Sequence, residues 1–164
     1  MHGIILTIGG IPLIYIGDGI GILNDYNYEN SPEKIGDTRW IHRTKFDWNK
    51  SKERSNPDSP EGTLFSGLLK LVQLRERTQA LSGSDTEFAD TGNDHILAYF
   101  RHYQDSSVFI LANFSDEEQN IAGNRLRQLG LSKTVTDVVG GKTITAAQNL
   151  TLEPYQFMML IGVR

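Results

Sequence analysis

The sequence contains no cysteine. Disulfides and thiolate metal sites are therefore excluded, and composition assigns no redox compartment. It also lacks a basic block. Its 16 lysines and arginines face 20 acidic residues, a net charge of −4, which argues against nucleic acid as a partner. No apolar run reaches the roughly 20 residues of a membrane span. No segment repeats and none is of low complexity. The four histidines (His2, His42, His95, His102) lack the spacing of metal ligands. No serine or lysine stands in a recognisable nucleophile context, and nothing implies a cofactor.

What the chain does have is an apolar opening, MHGIILTIGGIPLIYIGDG. It lacks a basic leading region and a small-residue cleavage site, so it does not read as a signal peptide. Gly9, Gly10 and Pro12 interrupt it, so it does not read as a membrane helix either; a cytoplasmic setting fits. Ile4 to Ile8 reads as the end of a helix stopped by Gly9-Gly10. Ile11 to Ile16 reads as a short strand, apolar throughout, of the kind covered on both faces in a parallel sheet. Each large apolar residue contributes about 1.5–3 kcal/mol when buried. The run from Ile4 to Ile16 is therefore expected to be covered, and the rest of the chain holds few segments able to do it.

Residues 17–60 are loop-like, rich in Gly, Asn, Asp, Ser and Pro. A connection of about 40 residues is functional or disordered. Its aromatics, Tyr26, Tyr28, Trp40, Phe46 and Trp48, argue for order. A helix follows, with Ser59 as N-cap, Pro60 in the first turn and an end near Ala80. Its apolar stripe is Leu64, Leu68, Leu71 and Val72, with Arg75 next on the same face. From Ser84 onward the chain reads as short strands. Ile96–Phe100 and Val108–Leu111 form a hairpin about Gln104-Asp105-Ser106, and later strands complete a small antiparallel sandwich.

Several motifs have plain readings. Gly140-Gly141-Lys142-Thr143 mimics a phosphate loop, but Thr136 stands where that loop needs glycine, so a turn is expected. Asn113-Phe114-Ser115 and Asn149-Leu150-Thr151 match the glycosylation triplet, which arises often by chance. His95 and His102 are expected to face solvent. Asp18, Asp25, Glu29, Glu33 and Asp37 are plentiful loop carboxylates, read as structural, since glycoside cleavage needs two held at a defined separation. The stretch Asp37-Thr38-Arg39-Trp40-Ile41-His42-Arg43 is denser in chemistry. It reads equally as a loop pinned by an Asp–Arg pair or as a sugar or anion site, with a guanidinium fork and an indole face.

Taken together, Gly9-Gly10-Ile11-Pro12-Leu13-Ile14-Tyr15-Ile16-Gly17-Asp18 resembles the eighth-strand segment of alpha-amylase superfamily barrels. Ile22-Leu23-Asn24-Asp25 and Asp37 to Arg43 resemble the amylosucrase branch, whose members use sucrose as glucosyl donor. Asp137 to Lys142 and Leu150 to Gln156 resemble that branch's C-terminal β domain. The resemblance runs over essentially the whole chain. It implies an α+β fragment: the last strand, long loop and last helix of a (β/α)8 barrel (residues 1–82), followed by a C-terminal antiparallel β-sandwich (residues 83–164).

The resemblance also implies a divided site. The catalytic carboxylates would lie upstream of Met1, so the chain alone would be inactive. Arg39 would be the substrate-binding residue of the glucosyl pocket, with Asp37, Trp40 and His42 beside it, and no metal. The partner would be carbohydrate, sucrose or alpha-glucan, in the intact enzyme, with neither nucleic acid nor membrane involved. The uncovered barrel edge would favour self-association. Gly19 departs from the family pattern, which has Glu there. A different class of function is a stand-alone carbohydrate-binding module of residues 84–164, motivated by Tyr99, Tyr103 and Tyr155. A third reading is a gene remnant without selected function.

Overall fold

The computed structural model describes residues 1–131 and 133–163. They form two compact units, one of residues Met1–Pro12 with Leu71–Arg164, the other of Leu13–Lys70. The composition boundary at 82/83 does not coincide with this division. The reason is local: the first helix and the last turns of the long helix make their hydrogen bonds and apolar contacts with the strands.

The first unit begins with α1 (His2–Thr7). Gly9 and Gly10 follow with φ of +119° and +69°, the conformations for which glycine stops a helix. The strands are β1 (Asp85–Phe88), β2 (Ile96–Tyr103), β3 (Ser106–Asn113), β4 (Gln119–Ile121), β5 (Thr134–Asp137), β6 (Lys142–Thr145), β7 (Leu150–Leu152) and β8 (Phe157–Ile161). Six of them pair in the order β1-β2-β3-β8-β5-β6, and β4 pairs with β7. All described pairings are antiparallel. The hairpin turns at Gln104, whose φ is +52°, and holds Phe100 opposite Phe109.

Side chains alternate across β2 and β3, and both faces are covered. One face presents Ile96, Ala98, Phe100, Phe109 and Leu111 to β4, β7 and the short helix at Gly123–Gln128, which adds Leu126. The other presents Tyr99, Val108 and Ile110 to Ala80 and Leu81, with Leu74 at the margin. Between β5 and β6 the chain makes the expected glycine turn. The Asp137 carboxylate accepts from the backbone N–H of Val139 and Gly140 at 3.0 and 2.9 Å, and Gly141 has φ +69°.

The second unit holds short 3-10 turns, a helix α2 (Trp48–Lys52) and the first turns of α3 (Pro60–Arg77). Asp25, Asp37 and Asp47 each cap a turn by accepting the N–H two residues on. Ser59 Oγ accepts from Gly62 N at 2.9 Å, the expected N-cap. Gly62 is required there, because a Cβ would lie 1.8 Å from the Asn56 carbonyl oxygen.

Four expectations are corrected. Ile11–Ile16 forms no β-strand: its backbone has no ladder partner, so no barrel strand is seen. The same segment is not covered, with Ile11 98% and Leu13 86% exposed. The long helix ends at Arg77 rather than near Ala80, its place taken by a 3-10 turn at Gln79–Leu81. Its expected stripe is likewise unburied; among the described residues of α3 only Gly62 is buried. No described helix is long and apolar enough to cross a membrane.

Candidate functional site

The Asp37–Arg43 stretch is built as a single 3-10 turn, Thr38–His42, with Asp37 at its start. Asp37 Oδ1 accepts from Arg39 N at 3.1 Å and from Arg39 Nε at 2.8 Å, and Oδ2 accepts from Nη2 at 2.8 Å. This is a bidentate fork closed within three residues. The Arg39 side chain is nevertheless 72% exposed. The guanidinium hydrogen bonds hold the Asp37 carboxyl below the usual carboxylate range, and Asp37 in turn raises Arg39.

Two cations approach the Trp40 ring, Lys34 Nζ at 4.9 Å and Arg43 Cζ at 5.8 Å from its centre. His42 Nδ1 is 3.1 Å from Asn24 Oδ1. The backbone joins the same two stretches, Asp25 N donating to Ile41 O at 2.9 Å. Thr44 Oγ1 adds a bond to Leu23 O at 3.1 Å. Asn24-Asp25 and Asp37–Thr44 therefore form one stitched surface loop, and Asp37, Arg39, Trp40 and His42 share it. Buried Tyr28 donates to Glu29 Oε1 at 3.3 Å. Desolvation, then the charge of Glu29, raises its phenol, with a smaller contribution from Asp37.

This arrangement offers planar donors, an aromatic face and amides, the equipment for holding a polar ring. Four of its carboxylates have local partners. Asp18 accepts from Tyr15 N, Asp25 and Asp37 cap turns, and Glu29 takes the Tyr28 hydroxyl. Among the described residues no group of three or more His, Asp or Glu could hold a metal ion. At Gly19 a Cβ would meet Phe65 at 3.4 Å, an ordinary contact, so packing does not force the glycine.

The fork gives a direct expectation. In wild-type chain Asp37 titrates below an ordinary aspartate, and Arg39→Gln returns it upward. A depressed native pKa means the carboxylate and its bonds are present above the unfolded value and are lost as pH falls through the native one. Carboxyl-resolved NMR titration checks this; identical Asp37 curves in both proteins would contradict the geometry.

Other motifs resolve plainly. Asn113 is buried and donates to the Glu117 and Glu153 carbonyls at 2.8 and 2.9 Å, which leaves no free amide for a glycan. Asn149 Oδ1 accepts from Gly123 N at 3.1 Å. His102 does not simply face solvent but sits between Ser107 Oγ at 2.8 Å and Glu87 Oε2 at 3.3 Å. Of the three tyrosines that motivate the binding-module reading, Tyr99 is buried and bonded to Thr7 Oγ1 at 2.6 Å. Tyr103 and Tyr155 line two different clefts.

The sequence reading missed Arg101, which is fully buried. The signal was present: a cation inside the apolar β2 pattern, in phase with Tyr99 and Leu97 rather than with the opposite face.

Comparison with known proteins gives these elements a class. Residues 86–159 match the family described as the maltogenic amylase C-terminal domain. The β-rich part of the chain is thus similar to that C-terminal domain. The chain is similar to glucosylglycerate phosphorylase of Escherichia coli, 29% identical over 164 residues, which cover 97% of this chain and 27% of that protein. It is also 29% identical over 161 residues to neopullulanase 2 of Thermoactinomyces vulgaris, covering 94% of this chain and 24% of that protein. Among solved structures, a MutB variant in complex with the substrate sucrose superposes with a TM-score of 0.70 at 19% identity, over 98% of this chain and 37% of that chain. The chain spans about a quarter of the length of these curated relatives.

Proposed function

We propose that this chain is the C-terminal part of an amylosucrase-like retaining enzyme, a glucosyltransferase or sucrose hydrolase. The observation that carries the reading is its end-to-end likeness to a quarter of a longer glucoside-acting relative. Asp37–Arg43 supplies the one site loop this chain would contribute. The Ile11–Ile16 run supports it too. A largely exposed, uncharged segment is what the eighth strand of a barrel would leave without its neighbours. Residues 1–82 are then the barrel's last portion and 83–164 the β domain.

In the intact protein the reaction would be a double displacement through a covalent glucosyl-enzyme. Its nucleophile and acid/base would come from strands outside this chain. Barrel enzymes assemble their sites from loops after the strands, so Arg39 would face the glucosyl pocket, with Trp40, His42 and Asp37 shaping its rim. The Asp37–Arg39 fork orients the guanidinium in advance. Its free edge would donate to sugar hydroxyls, while the exposed remainder leaves room for a further carboxylate partner. Transfer to an alpha-glucan and hydrolysis would compete at the second step.

On this reading the paired carboxylates that the chemistry needs would be supplied from outside this chain. Incubated with sucrose, the purified chain is expected to release no fructose above a heat-killed control. Fructose formation that follows chain concentration would overturn the reading that the catalytic groups lie elsewhere.

A further inference from the structure

The last carbonyls of a helix have no partner within it. In α1 they are met by side chains from the rest of its unit. Arg75 Nη1 donates to Leu6 O, and Nη2 donates to Gly10 O at 2.9 Å. Arg101 Nη1 donates to Thr7 O at 2.9 Å. Thr86 Oγ1 donates to Ile8 O at 3.1 Å. Arg101 is anchored in turn, its Nε donating to Asp85 O at 2.9 Å and its Nη2 to Gly83 O. Its three nitrogens therefore all end on carbonyls, and it is fully buried. A buried cation is costly unless its donors are satisfied; the helix C-terminus, with its partial negative charge, satisfies one of the three here, and the carbonyls of Gly83 and Asp85 satisfy the other two.

The fit is close elsewhere. Tyr99 hydroxyl meets Thr7 Oγ1 at 2.6 Å, and Thr7 Oγ1 donates to Gly3 O at 2.7 Å. A Cβ at Gly3 would lie 2.7 Å from the Phe157 ring, and a Cβ at Gly9 would lie 2.7 Å from Arg101 Nη1. Glycine is needed at both places because aromatic or guanidinium atoms occupy the space. The receptor thus fits a short helix with glycine near its start, threonine four residues on and a glycine turn at its end.

We propose that Arg75 and Arg101 are positioning residues: a two-arginine clasp that holds the α1 carbonyl end and so fixes the backbone from Leu6 to Gly10. From there the chain runs on to the Arg39 loop. The clasp lies within its own unit and does not rest on the function proposed above.

Hydrogen exchange of the full chain, read amide by amide, tests the clasp. Three variants are compared: Arg75→Met removes two donors, Arg75→Lys keeps a cation able to reach one carbonyl, and Gly9→Ala drives a methyl into Arg101 Nη1. Arg75→Met and Gly9→Ala are expected to speed exchange at Leu6, Thr7 and Ile8 about tenfold or more, with Phe109–Leu111 within about twofold of wild type. Arg75→Lys is expected to recover part of the protection. If α1 and β3 lose protection together, the arginines serve general stability and the proposal fails. If α1 keeps its protection in both Arg75→Met and Gly9→Ala, the carbonyl contacts hold nothing and it fails as well. Neither result depends on sugar, so active or inactive chain leaves the test unchanged.

Discussion

Phe109→Ala is expected to destabilise the chain by about 3–5 kcal/mol. Phe109 is fully buried on the central strand β3. Its ring stacks on Phe100 with centroids 4.3 Å apart, and its backbone partners are Phe100 on one side and Leu160 on the other. Truncation removes the transfer energy of the ring and leaves a cavity between two strands that cannot collapse without breaking register. Whole domains have only about 5–15 kcal/mol of net stability, so the variant should sit near the edge of unfolding. Leu23→Ala is the contrast: Leu23 is 80% exposed and its loss should stay within about 0.5 kcal/mol. Urea midpoints of the two variants against wild type decide the matter. A Phe109→Ala midpoint close to that of Leu23→Ala would mean the β2–β3 face is not the core it is taken to be.

The second large effect is expected at Asp137, which is buried at the end of β5. Its carboxylate serves three backbone donors: Oδ1 takes Val139 N at 3.0 Å and Met159 N at 3.2 Å, and Oδ2 takes Gly140 N at 2.9 Å. One side chain thereby ties the β5–β6 turn to the edge of β8. Asp137→Ala leaves all three without that acceptor. A buried donor left unsatisfied costs about 1–3 kcal/mol. Water can reach the turn, so a total near the low end, about 3 kcal/mol, is expected. Asp137→Asn keeps one acceptor oxygen but turns an N–H₂ toward a backbone N–H, so it should fall between. Thermal unfolding orders the three proteins, and amide exchange at Val139, Gly140 and Met159 locates the damage. Asparagine as stable as aspartate would show that charge and the second oxygen contribute nothing.

Much of the β unit was legible in the sequence because its determinants are local. Apolar stretches separated by Gln104-Asp105 specify a hairpin. Gly140-Gly141 specifies a turn, and Ser59 before Pro60 specifies a helix start. The Asp37–Arg39 pair could be foreseen for the same reason, since two residues of separation let a fork close without help from distant chain. The part of the site reading that geometry adds is the stitching of Asn24-Asp25 to Asp37–Thr44, which depends on residues 18 positions apart, as in His42 with Asn24.

The failures have a common cause. Ile11–Ile16 has strand composition, but a strand exists only through a partner's hydrogen bonds, and composition does not supply the partner. Tyr99 looked like a surface aromatic because alternation tells which residues share a face, not whether that face is covered. Arg101 was passed over because a cation is seldom fully buried; what tolerates it is a set of three carbonyls, those of Gly83 and Asp85 and, 94 residues earlier in the chain, that of Thr7 at the end of a helix.

By itself, then, the sequence determined the hairpin about Gln104-Asp105, the Gly140-Gly141 turn and the Ser59 helix start. These depend on backbone preferences and hydrogen bonds spanning a few residues. Only the tertiary structure decided which apolar stretches are buried, which are left exposed and where the buried charges find their partners. Burial and charge compensation are properties of surfaces brought together from distant parts of the chain, and their energies exist only once those surfaces meet.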